Sequence, residues 1–232
     1  MTVEENLVKI KERVVAATVR SGRKPETVTL IGVSKKQSVE KIIAAYKTGF
    51  KVFGENYAQE GRDKQKIILE EYNIQDINWH FIGSLQKNKV KYVVGKYDFV
   101  HSLDSLSLIN EFEKQCERRE IESQKVLIEV NTSGELSKGG FNESELLSVV
   151  ENTINKKFVK LEGLMTMPPP VEGESVRKYF IKLRELLEKV NSEFNINLKH
   201  LSMGMSGDFE IAIEEGATFV RVGTAIFGQR QY

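Results

Sequence analysis

Hydrophobic residues recur along the chain in two alternating patterns. Short apolar runs, typical of strands buried on both faces of a parallel sheet, alternate with segments whose apolar residues have helical spacing. The first segment predicts a helix, because Thr2 and Glu5 form a capping-box pattern and Gly22 follows the apolar series. A second helix is predicted between Ser38, as its N-cap, and Gly49. The predicted strands cover residues 28–33, 51–53, 79–82, 98–100, 125–130, 161–165, 198–201 and 218–222.

The strict alternation of strands and helices indicates the architecture. Helical crossovers imply parallel pairing, and eight strand-helix units in 232 residues match a closed barrel better than an open sheet. We therefore predict an α/β fold, a single (β/α)8 TIM-type barrel domain over residues 1–232 with an extra N-terminal helix. Only about ten residues follow the last predicted strand, too few for an eighth crossover helix. We expect the first helix to cover that part of the outer wall.

Composition narrows the possible functions. The chain has 34 lysines and arginines against 33 acidic residues with the signs interspersed, so we expect no nucleic-acid partner. The lysine-rich run at 86–92 is expected to form a solvated helix face. Cys116 is the single cysteine, so no intrachain disulfide can form, and no leader or membrane-length apolar run is evident. We expect a cytoplasmic protein without membrane contacts and take it to be a monomer.

Polar and small residues gather where the predicted strands end. In a parallel barrel the carboxyl ends of the strands form the functional rim, because the loops there are freed from packing. Lys35 follows the first strand and Asn56 follows the second. Loops after the seventh and eighth strands often bind phosphate, and small residues there let backbone N–H groups approach an anion. The candidate ligand-binding residues are Lys35, Asn56, Ser202, Met203, Gly204, Arg221, Gly223 and Thr224.

Lys35 carries the strongest chemical signal among these residues. A lysine that leaves a buried strand toward the mouth of a barrel is costly to bury unless it is paired or reactive. Partial desolvation and a nearby cation such as Arg221 would favour the neutral amine, which attacks an aldehyde. Two other interpretations fit the same residues: Lys35 in a solvated ion pair, and Arg221 closing the barrel by pairing with a carboxylate. We expect His80 and His200 to be core residues, and no metal-ligand spacing appears.

Six segments form a set of motifs, at residues 33–35, 53–57, 79–83, 101–104, 163–167 and 201–228. The most specific parts are Leu-Ser-Met-Gly-Met-Ser at 201–206 and Arg-Val-Gly-Thr-Ala-Ile-Phe-Gly at 221–228. Together they resemble the pyridoxal phosphate homeostasis proteins, whose barrel is shared with the amino-terminal domain of alanine racemase. Gly32 stands where alanine is frequent in that family, and Lys36-Gln37 replaces a more usual Thr-Lys. Neither departure touches the expected contacts.

The resemblance implies pyridoxal 5'-phosphate as the cofactor and a role for each candidate residue. Lys35 would form a Schiff base with the aldehyde carbon, Asn56 would lie near the ring, and Arg221 would face the pyridine nitrogen. Because arginine is a permanent donor, it leaves that nitrogen largely unprotonated and the ring a weak electron sink. The phosphate would be held by Ser202, Gly204, Gly223 and Thr224, with Met203 in the same loop.

The resemblance also implies a carrier of pyridoxal phosphate that serves vitamin B6 homeostasis, with apo-enzymes as recipients, rather than an enzyme. A racemase of this fold takes its opposing base from a second domain, which the sequence up to Tyr232 lacks, so we expect no efficient racemisation. Two alternatives stay open: a weak amino acid racemase or decarboxylase, and a phosphosugar enzyme or binder without pyridoxal phosphate. We expect Arg221→Ala to weaken cofactor binding and leave the fold intact, because its charge is placed at the rim.

Overall fold

The computed structural model describes residues 2–135, 138–171 and 173–229. In these residues the strands form one closed parallel barrel in sequence order, and the first strand pairs with the eighth to complete the circle. The α/β barrel prediction is therefore confirmed. The strands are β1 (Thr29–Val33), β2 (Val52–Glu55), β3 (Asn78–Phe81), β4 (Phe99–Leu103), β5 (Gln124–Glu129), β6 (Val159–Met165), β7 (His200–Ser202) and β8 (Phe219–Val222).

Helices surround the barrel and connect its strands. The first helix begins after Thr2, which caps it through the predicted reciprocal bonds with Glu5. The second begins after Ser38, and Gly49 follows it in the left-handed conformation that favours glycine. The helices are α1 (Val3–Arg20), α2 (Val39–Lys47), α3 (Ala58–Tyr72), α4 (Leu106–Arg118), α5 (Leu146–Ile154), α6 (Arg177–Phe194), α7 (Phe209–Glu214) and α8 (Thr224–Phe227).

One crossover differs from the prediction. The lysine-rich run between β3 and β4 is helical with Lys87 and Lys91 exposed, as expected, but the helix, Lys87–Tyr92, is a 3-10 helix and not an α-helix. Val90 and Val93 are both buried, and a spacing of three residues places them on one face of a 3-10 helix. The segment after β8 also contains a helix, since α8 forms a single turn where we expected none. Within the described residues, no helix is both long and apolar enough to cross a membrane.

Helix α1 covers the outer wall beside β8, as we expected. Its apolar face is buried and includes Leu7 and Val14. Asn6 Nδ2 donates to the carbonyl oxygen of Ile226 at 3.0 Å. This bond holds the first turn of α1 against α8, the single-turn helix that follows β8. The N-terminal helix thus takes the place of a full eighth crossover helix.

Side chains of the barrel strands alternate between two environments. One small cluster, formed by Ile31, Leu127, Met165 and Phe219, fills the barrel interior and is separate from the larger apolar core between sheet and helices. Because successive strand residues point to opposite faces, residues two apart share a side. The interior face of β8 therefore carries Phe219 and then Arg221.

Candidate functional site

A cavity of about 290 Å³ opens at the carboxyl ends of the strands. Its volume lies close to the lower limit of about 300 Å³ for small-molecule sites in proteins. Five of the eight candidate residues line it, which brings together side chains from the first, second and eighth strand ends. The described lining residues are Val33, Lys35, Gln37, Asn56, Ile82, Met167, Met205, Ser206, Gly207, Arg221, Gly223 and Thr224.

Lys35 reaches the cavity from the end of β1. Val33 lines the same cavity two residues earlier, in keeping with the alternation of the strand. Lys35 is partly buried, whereas Lys36 is exposed and lies on the other side of the turn. Lys36 adopts a φ of 56°, an unusual conformation for a residue with a side chain, so the backbone bends sharply just after Lys35.

Asn56 lies at the end of β2 with an unsatisfied acceptor. Its Oδ1 atom is buried and has no hydrogen-bond partner among the described residues. A buried carbonyl oxygen without a partner costs about 1–3 kcal/mol, so it marks a place where a ligand donor is expected. The orphaned oxygen of a cavity-lining residue therefore fits a site that binds a polar ligand.

Arg221 is almost fully buried, with 5% of its surface exposed. Its Nη1 donates to Ser202 Oγ at 2.6 Å and its Nη2 donates to the carbonyl oxygen of Thr166 at 2.9 Å. Burial lowers the pKa of Arg221 to about 10, while Glu129 and Asp208 oppose that shift, so the guanidinium stays protonated at neutral pH.

The position of Arg221 alters two of our expectations. No ion pair joins it to a carboxylate within the described residues, which does not favour the barrel-closing carboxylate pair. The guanidinium is buried below the mouth instead of standing at an exposed rim. Truncation would leave Ser202 and the Thr166 carbonyl without their donor, so we now expect Arg221→Ala to lower stability as well as ligand binding.

A chain of hydrogen bonds continues from Arg221 into the barrel, and we call it the inner chain: Arg221, Ser202, His101 and His80. Since the Ser202 hydroxyl accepts from Arg221, its proton is directed to His101 Nδ1, 2.8 Å away. His101 then carries its proton on Nε2 and donates to His80 Nδ1 at 2.9 Å. Arg221 is the fixed donor of the first bond, and the directions of the other two follow from placing the His101 proton on Nε2.

Both histidines of the inner chain are neutral. Burial is the main cause that lowers the pKa of His80 to about 3, with smaller contributions from His200 and Lys125. Burial also lowers the pKa of His101 well below its ordinary value, with help from His80 and Arg221. His80 is a core residue as expected, whereas His200 is only partly buried, and both pack against the Phe219 ring.

A carboxyl group with a raised pKa lies near the same guanidinium. Glu129 ends β5, and burial raises its pKa to about 7, with Asp104 adding to the rise and Arg221 opposing it. A group with this pKa exchanges a proton near neutral pH. The surroundings of Arg221 therefore include one acid that is partly protonated under ordinary conditions.

Three candidate residues lie outside the lining of the cavity. Ser202 is fully buried and its hydroxyl serves the inner chain, while Met203 is buried in the apolar core. Gly204 has a φ of 91°, and a Cβ there would stand 2.6 Å from Ala212 Cβ, so only glycine suits the turn that leads to α7. The turn directs the following residues to the cavity: Met205, Ser206 and Gly207.

Within the described part of the chain, no group of histidine, cysteine and acidic residues is arranged to hold a metal ion.

Comparison with known proteins now places the chain in a family. A family model described as alanine racemase, N-terminal domain, matches residues 6–231. A pyridoxal phosphate homeostasis protein from Aquifex aeolicus is 47% identical over 233 residues, which cover 100% of both chains. The chain belongs to the pyridoxal phosphate homeostasis protein family. The family resemblance drawn from the sequence motifs is thereby confirmed.

Solved structures agree with this membership. The structure of PipY from Synechococcus elongatus PCC7942 with PLP bound is similar to this family member at a TM-score of 0.81 and 32% identity, covering 94% of this chain and 100% of that chain. Alanine racemase from Clostridium difficile 630 shares the fold at a TM-score of 0.75 and 14% identity, covering 100% of this chain and 57% of that one. The barrel is thus common to family members and to part of a longer enzyme.

Proposed function

We propose that this chain binds pyridoxal 5'-phosphate in the cavity at the barrel mouth and holds it covalently on Lys35 as a carrier, with residues 1–232 acting as one domain. The observation that carries the proposal is that Lys35, Asn56 and Arg221 line one cavity of about 290 Å³. They supply an amine, a buried unpaired acceptor and a buried cation. The name of the relative from Aquifex aeolicus and the PLP bound to PipY support the same ligand.

Each cavity residue has a chemical task under this proposal. The ligand supplies an aldehyde with which the Lys35 amine condenses: a C–N bond forms and the aldehyde oxygen leaves as water. Arg221, oriented by the inner chain, donates toward the ring nitrogen and leaves it largely unprotonated. Asn56 Oδ1 accepts a hydrogen bond from the ligand.

The phosphate is assigned to the loops after β7 and β8. Small residues there, Gly207 and Gly223 among them, let backbone N–H groups approach an anion. A Cβ at position 223 would stand 3.3 Å from the Val33 carbonyl oxygen, so glycine also keeps this wall close to β1. We assign the direct phosphate contacts to the loop residues that line the cavity: Ser206, Gly207, Gly223 and Thr224. The loop is supported from outside the cavity by Ser202, Met203 and Gly204.

The test is to trap the bound ligand. Purified protein is mixed with pyridoxal phosphate, reduced with borohydride and digested, and the modified peptide is mapped by mass spectrometry. We expect an absorption band of the Schiff base and an adduct on Lys35, both lost in Lys35→Ala and kept in the matched control Lys36→Ala. An adduct on another side chain, or none at all, would refute the proposal.

We further infer that the chain is a carrier instead of an efficient enzyme, and that apo-enzymes receive the cofactor. Among the described residues that line the cavity, Lys35 is the one side chain of a type that acts as a general base. A racemase needs a second base on the opposite face of the substrate. A sensitive assay of the loaded protein with several amino acids tests this inference: turnover that disappears in Lys35→Ala would show residual racemase or decarboxylase activity.

A further inference from the structure

A second polar network lies on the outer side of the same turn, between the barrel and α3. Ser34 and Glu55 point away from the cavity, because they alternate with Val33 and Asn56 along their strands. Both are fully buried, and Ser34 Oγ donates to Glu55 Oε1 at 2.7 Å. Helix α3 adds Glu60 and Lys64. We call these residues the outer cluster: Ser34, Glu55, Glu60 and Lys64.

Lys64 is the centre of the outer cluster. Its side chain is 8% exposed, and its ammonium donates to the Ser34 carbonyl oxygen at 2.6 Å, to Glu55 Oε1 at 2.9 Å and to Glu60 Oε1 at 2.6 Å. An ammonium has three protons, so the group is fully used. A buried lysine with two carboxylates and one carbonyl is held in a single position, unlike a flexible surface lysine.

The outer cluster grips the backbone on both sides of Lys35. The residue before it, Ser34, is held through its carbonyl oxygen by Lys64. The residue after it, Lys36, donates its backbone N–H to Glu60 Oε1 at 2.5 Å, the same oxygen that Lys64 contacts. That bond stabilises the left-handed conformation of Lys36, which costs about 1–2 kcal/mol for a residue with a Cβ. A continuous set of charge-assisted bonds thus defines the turn.

The close approach of α3 makes this arrangement possible. Gly61 lies next to Glu60 on the helix, and a Cβ there would stand 3.3 Å from the side chain of Glu55 and 2.1 Å from the hydroxyl of Tyr97. Glycine at this position lets the helix approach β2. Lys64, one helical turn after Glu60, then reaches the strand end with its full length.

We propose that Lys64 is a positioning residue that aims the Lys35 side chain into the cavity without contacting the ligand itself. Without Lys64 the Ser34 carbonyl loses its donor, and Glu55 and Glu60 are left as neighbouring carboxylates without their shared cation. The Lys36 turn then relaxes and the Lys35 amine spends less time in the cavity. The expected effect on ligand binding rests on the proposed function. The expected effect on the Lys36 turn does not, and it can be measured without any ligand.

The experiment compares Lys64→Met with Lys66→Met, a matched control two residues away on α3. Lys66 is 69% exposed and makes only a surface ion pair with Glu70 at 3.8 Å. Hydrogen exchange of the Lys36 amide, followed by NMR without ligand, is expected to accelerate at least tenfold in Lys64→Met and to stay unchanged in Lys66→Met. In the same variants, the dissociation constant for pyridoxal phosphate is expected to rise at least tenfold for Lys64→Met alone.

Glu60→Ala provides a second variant in case Lys64→Met fails to fold. It removes the acceptor of the Lys36 amide at a side chain that is 26% exposed, and Lys64 keeps its bond to Glu55. The same faster exchange is expected. Unchanged exchange and unchanged affinity in a folded Lys64→Met or Glu60→Ala protein would overturn the positioning role. If the wild type itself forms no adduct on Lys35, the proposed function fails, whereas the exchange comparison still decides whether Lys64 fixes the turn.

Discussion

The inner chain and the outer cluster flank the same cavity but use different chemistry. Inside the barrel, Arg221 is the only charged member, and burial keeps His80 and His101 neutral. Outside the barrel, Lys64 meets two carboxylates, and it opposes the rise in the pKa of Glu55 that burial causes. Helix α3 brings a cation to two carboxylates at a buried strand end, whereas inside the barrel the single cation of the inner chain is bonded only to neutral groups.

The largest expected effect is acid destabilisation through the inner chain. Between its ordinary pKa of 6.5 and its folded value of about 3, His80 binds a proton in the unfolded chain but not in the folded one. Stability therefore falls as the pH falls through this window, by about 1.4 kcal/mol per pH unit for each such histidine. Urea unfolding between pH 4 and about pH 7 measures the slope.

His80→Gln sharpens that measurement. The amide oxygen of glutamine can still accept from His101, but the side chain no longer titrates. We expect the slope of stability against pH to fall by about 1.4 kcal/mol per unit. A slope equal to that of the wild type would mean that His80 is not held neutral in the folded protein.

A matched pair of serine variants compares the two networks directly. We expect losses in the free energy of unfolding that are smaller than the acid effect and larger than the effect at Gly61. Ser202→Ala removes the acceptor of a buried guanidinium and the donor to His101, so we expect a loss of about 1.5–3 kcal/mol. Ser34→Ala leaves Glu55 Oε1 with its bond to Lys64, so the loss should be about 1 kcal/mol. Urea unfolding at neutral pH checks the order, and a larger loss for Ser34→Ala would contradict it.

The smallest effect concerns the contact that lets α3 approach the barrel. Gly61→Ala places a Cβ against the Tyr97 hydroxyl, at a net cost of about 1 kcal/mol, since helix propensity offsets part of the crowding. The hydroxyl is buried without a partner among the described residues, so Tyr97→Phe should be neutral or slightly stabilising.

A double-mutant cycle joins the two changes. In the Tyr97→Phe background the atom that Gly61→Ala would crowd is gone, so the substitution is expected to become neutral or stabilising. The free energies of unfolding of the four proteins give the coupling. The same cost in both backgrounds would show that another neighbour limits the approach of α3.

Much of the fold could be predicted from the sequence because it depends on local pattern. Buried strands between amphipathic helices give the barrel, and the capping signals at Thr2 and Ser38 locate two helix starts. The 3-10 crossover at Lys87–Tyr92 was not predicted, since its valines suit either kind of helix. The choice between an α-helix and a 3-10 helix depends here on tertiary packing, because Val90 is fully buried.

The site was predictable where it depends on the ends of strands. Lys35, Asn56 and Arg221 follow directly from that rule, and all three line the cavity. The place of Ser206 in the cavity lining was missed, because the path of this loop depends on how the turn at Gly204 packs against α7. Its place as the last residue of the Leu-Ser-Met-Gly-Met-Ser motif at 201–206 was the signal that could have found it.

The two networks behind the site were not predictable at all. His101 lies 101 residues from Ser202 and Lys64 lies 30 residues from Ser34, and only the closed barrel and the docked helix bring these pairs together. Nothing in the spacing of a single lysine on a helix distinguishes a buried cation from a solvated one. Such residues are found from contacts, not from patterns.

Closure of the barrel by β1 and β8 has a consequence for biosynthesis. Ile31 pairs with Arg221, so the lysine-bearing strand meets the arginine-bearing strand only after the eighth strand has left the ribosome. Until then, the backbone N–H and C=O groups along one edge of β1 have no strand partner, and a chaperone could cover them. A nascent chain therefore carries Lys35 before Arg221 can lie beside it, and the cavity that both residues line is complete only in the closed barrel.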